Sequence, residues 1–438
     1  MIYYIIFNSE VTMEEKFELK NVKGTADFLP EEQIVRNQII NELKTTFELY
    51  GYLPLETPIL CYYDLLASKY AGGSEILKEV YKLKDQGNRD LGLRYDLTVP
   101  FSKVLGMMKE PILPFRRYEI GKVFRDGPIK LGRNREFYQC DIDVCGIEVI
   151  TAEAEMFSLS IYAYHKLGID IDLRWNNRKF LSGIMIECNI SKISETILIV
   201  DKLEKIGKED VFKELKKLGL EEKSINKLFD YFELTINEIE TLKTTNETLL
   251  EGIKEIIDLN NYLKEMHLID NCTFKPFLAR GLEIYTGTVW EVFDKKNRVT
   301  SSLGGGGRFD NIITNFIDNG TKYPAVGMCF GLEPIYAILK EEKKFIKSPY
   351  DLYIYSFVIT PNILSLAQTL RQNKIKVIVE MNNIKLKKAM NYANKNKIPY
   401  VLIVGEDEIK DNLYSFKNME TGIQETLKID EIIEKLNK

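Results

Sequence analysis

Phe124-Arg125 is followed, after a short polar turn, by Gly132-Arg133-Asn134-Arg135-Glu136-Phe137-Tyr138-Gln139-Cys140-Asp141-Ile142-Asp143. Period-two alternation, interrupted at Gly127-Pro128, reads as a strand, a basic hairpin loop and a returning strand. Such a layout sets guanidinium groups beside acceptors on one sheet face, where a polyphosphate and an ammonium-bearing substrate could sit together. A lone arginine is usually half of a surface ion pair. Three of them (Arg125, Arg133, Arg135) within eleven residues, framed by strands and followed by Gln139 and Asp143, form a specific signal.

The rest of the inventory narrows the chemistry. The chain has two histidines, His165 and His267, both away from the arginine-rich segments. A Ser/His/Asp hydrolase or a histidine-ligated metal enzyme is therefore disfavoured. The run Gly304-Gly305-Gly306-Gly307 lets a backbone approach a ligand closely, but it lacks the lysine of a P-loop and the spacing of a dinucleotide fingerprint.

Several elements must position these groups. Apolar residues at Ile34, Val35, Ile39, Ile40, Leu43, Phe47 and Tyr50 follow helical spacing, and Gly51 stops that helix. Leu55 to Leu60 is a proline-bearing extended segment suited to a sheet edge. From Asn189 to about Asp270 lysine, glutamate and leucine dominate at helical spacing, so a helical module interrupts a β-rich domain. Strand texture returns from Cys272 to Phe330. After a charged linker ending in Ser348-Pro349, strands at 351–357, 376–381 and 400–405 alternate with helices, one opening at Thr360-Pro361. This is a small α/β domain.

Composition sets the class. With 438 residues, two or three domains are expected; 45% apolar and 29% charged residues describe a soluble globular protein. The net charge of -5 excludes a generally basic nucleic-acid coat but not a local basic surface. Between Arg371 and Lys397 lie eight Lys/Arg against one acid, Glu380. Six scattered cysteines without a C-x-x-C pair suit a reducing cytosol. Met1 to Val11 is too short for a membrane span and lacks a basic leader, and Met13 could serve equally as the start. A cytoplasmic protein is expected, with no role for membrane or DNA.

The hairpin passage resembles motif 2 of the class II aminoacyl-tRNA synthetases, most of all that of the histidine–tRNA ligase family. Leu55–Leu60 resembles motif 1, and Leu278-Ala279-Arg280-Gly281-Leu282-Glu283-Ile284-Tyr285-Thr286-Gly287 resembles the family's histidine-specific motif. Segments from Leu386 to Gln424 resemble an anticodon-binding domain, which gives the basic stretch a reason in RNA phosphate contacts. The resemblance implies an α+β fold: an antiparallel sheet flanked by helices (21–188 and 271–345), a helical insertion (189–270) and a C-terminal α/β anticodon-binding domain (348–438), after an N-terminal extension (1–20). It implies a homodimer that activates L-histidine with ATP and Mg2+ and transfers it to tRNA(His), with no tightly bound cofactor.

Residue roles follow from the same resemblance. Arg125 and Arg280 take the reacting phosphate, and Arg133 and Arg135 the outer phosphates or the tRNA end. Asp96, Thr98 and Gln139 hold the substrate ammonium, Asp143 and Tyr285 the imidazole, and Gly305, Gly306 and Gly307 floor the pocket. Metal ligands are not assigned. Two positions depart from the family pattern. Ile284 replaces a tyrosine, and Pro334 replaces the arginine that grips the γ-phosphate; a charge-assisted contact is worth about 1.5–3 kcal/mol, so ATP binding is expected to be weaker unless Arg308, Arg133 or magnesium compensates. The alternative is a catalytically weakened paralogue, a histidine-sensing regulatory subunit of the ATP phosphoribosyltransferase type.

Overall fold

The alternating stretch Phe115–Phe124 and the stretch Glu136–Cys145 form two ten-residue strands, paired antiparallel from Phe115↔Cys145 to Phe124↔Glu136. They lie in a computed structural model describing residues 19–68, 75–108, 110–129, 134–280, 284–342 and 348–437. Met1 to Val11, Met13, Arg133 with its hairpin tip, Gly281–Glu283 and the linker at 343–347 fall outside those residues. The chain divides into two units, Met1–Glu342 and Lys343–Lys438.

The first unit is built on an eight-stranded sheet in the order Leu53–Pro54, Phe115–Phe124, Glu136–Cys145, Ala325–Gly331, Gly304–Arg308, Thr288–Asp294, Ile171–Asn177, Cys272–Phe274. The six inner strands are mutually antiparallel; only the two edge pairings are parallel. The alternation splits the returning strand by face. Cys140, Ile142 and Val144 are fully buried in apolar core, which leaves Gln139, Asp141 and Asp143 on the opposite face.

Helices cover the apolar face. Pro30–Leu49 starts with proline at its first turn beside Glu31 and Glu32 and ends where Gly51 adopts φ +78°. It packs against Leu332–Glu341 and Thr151–Lys166. Phe157, on the last of these, meets the edge of Trp290 at 5.1 Å between centroids, tying helix to sheet. Six helices and no strand lie between Ile193 and Glu265, all between the strands Ile171–Asn177 and Cys272–Phe274. The motif 1-like segment Leu55–Leu60 follows the short edge strand Leu53–Pro54 and enters a further strand, Leu60–Tyr62, only at its last residue, although Leu55 still donates to the Tyr118 carbonyl at 2.8 Å.

The second unit has a five-stranded sheet in the order Val377–Val379, Leu352–Ser356, Tyr400–Val404, Tyr414–Asn418, Gln424–Leu427. Its first three strands are parallel, as the alternation with helices demands, and the last two add antiparallel. Thr360 stands at the N-cap of Pro361–Gln372, yet its hydroxyl makes no capping bond.

Candidate active site

A cavity of about 180 Å³ opens on the polar face of the large sheet. It is lined by Asp96, Thr98, Arg125, Gln139, Asp143, Arg280, Tyr285 and Gly305. Residues from four separate stretches of sequence thus meet in one place. Glu79, Tyr95, Asp141 and Cys329 join them.

Each arginine is aimed by backbone. Arg125 donates from Nε to the Tyr95 carbonyl at 3.1 Å and lies over the Phe137 ring at 5.2 Å. Arg280 donates from Nη1 to the Trp290 carbonyl at 3.2 Å, and its guanidinium lies 5.6 Å from the Tyr285 ring centre. The glycine strand explains how Arg280 gets there. A methyl group at Gly305 would lie 2.0 Å from Arg280 Nη1, and one at Gly307 2.5 Å from the Tyr285 ring. Gly306 is on the other pleat, where a methyl would meet the Gly327 carbonyl at 2.2 Å and Trp290 at 2.7 Å. The floor therefore consists of alternate glycines, with Gly306 facing away.

Asp143 is held in a buried charge network. Arg117 Nη2 pairs with Asp143 Oδ2 at 2.5 Å, and Arg117 Nη1 lies 3.6 Å from Glu119 Oε2. Glu119 Oε1 accepts from Arg94 Nη1 at 2.7 Å and from the backbone N–H of Thr57 at 2.9 Å. Arg94, Arg117, Glu119 and Asp143 are each no more than 3% exposed. Two cations and two anions alternate, so each buried charge has a partner. A methyl at Gly327 would lie 1.9 Å from Asp143 Oδ1, so the neighbouring strand must be bare there. Asp96 Oδ1 accepts from the N–H of Val99 at 3.0 Å and so caps the helix Thr98–Met107.

Asp141 was not singled out from sequence, although it shares the alternation of Gln139 and Asp143. Burial pushes its carboxyl up to about 7; Asp143 and Asp96 push the same way, while Arg117 and the Cys329 thiol oppose. Arg94, Arg117 and Glu119 also went unassigned. For Arg117 and Glu119 a signal is present in Phe115-Arg116-Arg117-Tyr118-Glu119, where the two charges stand two apart and so share one strand face.

Other expected groups lie elsewhere. Arg135 is not among the residues lining the cavity: Nη1 pairs with Asp126 Oδ1 at 3.1 Å and its stem packs against Gly24. Arg308 does not compensate for Pro334. It points to the far side of the glycine strand, chelated by Glu153 through Nε at 2.7 Å and Nη2 at 2.8 Å, and it is 4% exposed. Pro334 sits in the first turn of Leu332–Glu341, folded over Gly331. Both histidines are exposed and line no part of the cavity. Among the described residues, no group of three His, Cys, Asp or Glu side chains is placed to hold a metal ion.

A mostly antiparallel sheet bearing two backbone-anchored arginines above an acid-lined cavity, with a separate α/β unit following, is the architecture of a class II aminoacyl-tRNA synthetase. The histidyl-tRNA synthetase family profile matches residues 24–335, and an anticodon-binding domain profile matches residues 355–438. The chain belongs to the histidyl-tRNA synthetase family. It is 48% identical over 412 residues to histidine–tRNA ligase 1 of Bacillus cereus, covering 92% of this chain and 94% of that one. The crystal structure of histidyl-tRNA synthetase from Nostoc superposes with a TM-score of 0.85 at 27% identity, over 96% of this chain and 99% of the other. A Bacillus halodurans structure described as an ATP phosphoribosyltransferase regulatory subunit/histidyl-tRNA synthetase gives 0.74 at 20% identity, over 89% and 99%; this likeness shows the fold alone.

Proposed function

We propose that this chain is a histidine–tRNA ligase: it joins L-histidine to ATP, releases pyrophosphate and passes the histidyl group to the 3′ end of tRNA(His). The observation that carries this reading is the meeting of Arg125 and Arg280 in one cavity with Gln139, Asp143 and Tyr285. The substrate carboxylate is itself the nucleophile, attacking the α-phosphorus, so no protein nucleophile is needed. Negative charge grows on the phosphoryl oxygens, and two fixed guanidiniums offset it without reorganising. In the second step the tRNA hydroxyl attacks the histidyl carbonyl and AMP departs.

In this reading ATP enters as its magnesium complex, the metal held chiefly by the phosphates themselves. The acids and Gln139 select a substrate rich in N–H donors. The basic surface of the C-terminal unit supports tRNA contact: Arg371, Lys374, Lys376, Lys385, Lys387, Lys388, Lys395 and Lys397 are all exposed. A homodimer joined along the motif 1 edge is supported by the apolar side chains left in solvent there, Leu53 (68% exposed), Leu60 (50%) and Tyr62 (59%). Six free cysteines support a reducing, cytoplasmic setting. No helix among the described residues is long and apolar enough to cross a membrane.

Histidine-dependent ATP–pyrophosphate exchange with the full chain tests the reading. Exchange with histidine and none with other amino acids is expected. Pro334 is the one observation favouring a histidine sensor, for which histidine binding without exchange is the distinguishing result.

A further inference from the structure

Two acceptors in the cavity, Gln139 Oε1 and Asp141 Oδ1, have no hydrogen-bond partner among the described residues. Cys329 lies between them. Gln139 Nε2 donates to its sulfur at 3.4 Å, its thiol donates to the Phe330 carbonyl at 3.6 Å, and Cys329 stands directly across from Asp141 on the neighbouring strand. The sulfur thus fixes the Gln139 amide with nitrogen turned to Cys329, leaving both buried oxygens unpaired. The other carboxylates of the strand face and helix start are already engaged: Asp143 by Arg117, and Asp96 Oδ1 by the N–H of Val99.

Position along the strand decides what those oxygens meet. Gln139 is nearest the Arg125 end, Asp143 is deepest, and Asp141 is midway, with about 6.8 Å between alternate residues. An amino acid with its carboxylate at the arginines and its ring at Asp143 and Tyr285 brings its amino group opposite 139 and 141.

We propose that Asp141 is a substrate-binding residue that, beside Gln139, accepts an N–H of the α-ammonium of the bound amino acid. This rests on the reading of the cavity as a histidine site. Its carboxyl is raised to about 7 by burial, in the company of Arg117 and Glu119 from one side, Asp143 on its own strand, Cys329 from the other side and Asp96. Arg125 and Arg280 line the same cavity. A cation placed against it favours the ionised form, so histidine binding near neutral pH should expel a proton from it.

The test is calorimetric binding to the full chain without ATP, comparing L-histidine with 3-(imidazol-4-yl)propanoate, which lacks only the amino group. Asp141→Asn should weaken L-histidine about 10- to 100-fold, the value of one charge-assisted bond, and leave the des-amino ligand within about 2-fold. An equal loss for both ligands, or no loss for either, overturns the proposal. Proton release gives a second measure: at pH 7, in buffers of different ionisation enthalpy, L-histidine should release more protons on binding the wild type than on binding Asp141→Asn. Equal release overturns it. Wild-type protein that binds no histidine at all sinks the histidine-site reading instead, and the proposal with it.

Discussion

The two sheets use charge in opposite ways. In the large unit, one sheet face carries Arg117, Glu119, Gln139, Asp141 and Asp143 on two adjacent strands; the last three line the cavity and the first two are buried beside them. In the C-terminal unit every residue of the inner strand Leu352–Ser356 is buried, with apolar clusters on both faces, and the basic residues of 371–397 stand outside on helices and loops. The first arrangement makes recognition a matter of fixed internal geometry. The second makes it a matter of surface potential, tolerant of position and sensitive to salt. Damage should therefore look different in the two units.

The largest effect is expected at Arg117→Met, which strands Asp143 and Glu119 without their shared cation. Losing one partner of a buried pair costs about 3–5 kcal/mol, so denaturant unfolding of the first unit should shift to much lower concentrations. A shift below about 0.5 kcal/mol would show that the network is not internal in the sense argued. Arg280→Ala should lower kcat for pyrophosphate exchange about 100- to 1,000-fold, because a preorganised donor to the growing charge is gone. If only KM for histidine moves, Arg280 binds and does not catalyse.

Asp141→Asn makes the comparison through pH. The wild-type carboxyl keeps its proton up to about 7 when folded, against about 3.8 as the ordinary value. Between these values the unfolded chain releases a proton that the folded one retains, so folding is increasingly penalised as pH rises. The variant should gain stability across that window, on the order of 4 kcal/mol above pH 7 and nothing below pH 3. Thermal melts at pH 3, 5 and 8 check this; a pH-independent difference would contradict the assigned shift. Lys387→Ala with Lys388→Ala should raise KM for tRNA several-fold and flatten its salt dependence by about 0.7 in logarithmic slope per lost phosphate contact. An unchanged slope would remove those lysines from the RNA surface. Smallest is Pro334→Arg, a half-exposed position, where KM for ATP should fall about 3-fold, the worth of an exposed charge contact. An unchanged value would count against a missing γ-phosphate grip.

Much of this was legible before any coordinates. The hairpin strands, the helix from 30 to 49 with its glycine stop, and the helical run between 193 and 265 all follow from period and punctuation. The two antiparallel strands at the end of the C-terminal sheet were not read, since Tyr414–Asn418 and Gln424–Leu427 are half polar and only pairing defines them. The cavity lining was legible where a motif names a residue, at Arg125, Gln139, Asp143 and Arg280. It was illegible where a residue acts through another: nothing local says that Arg117 neutralises Asp143, or that Arg308 turns from the cavity to Glu153. Those facts depend on register between strands far apart in sequence, which a one-residue slip would reverse.

The bare strand at 304–307 has a bearing on fidelity. Its floor is hydrogen atoms crossed by an arginine and a tyrosine, and Arg308 pins its end to Glu153, so it cannot sag to admit a bulkier side chain. A smaller or apolar amino acid would fit but leave buried oxygens unanswered, and sites of that kind reject such impostors by about 10,000-fold at first encounter.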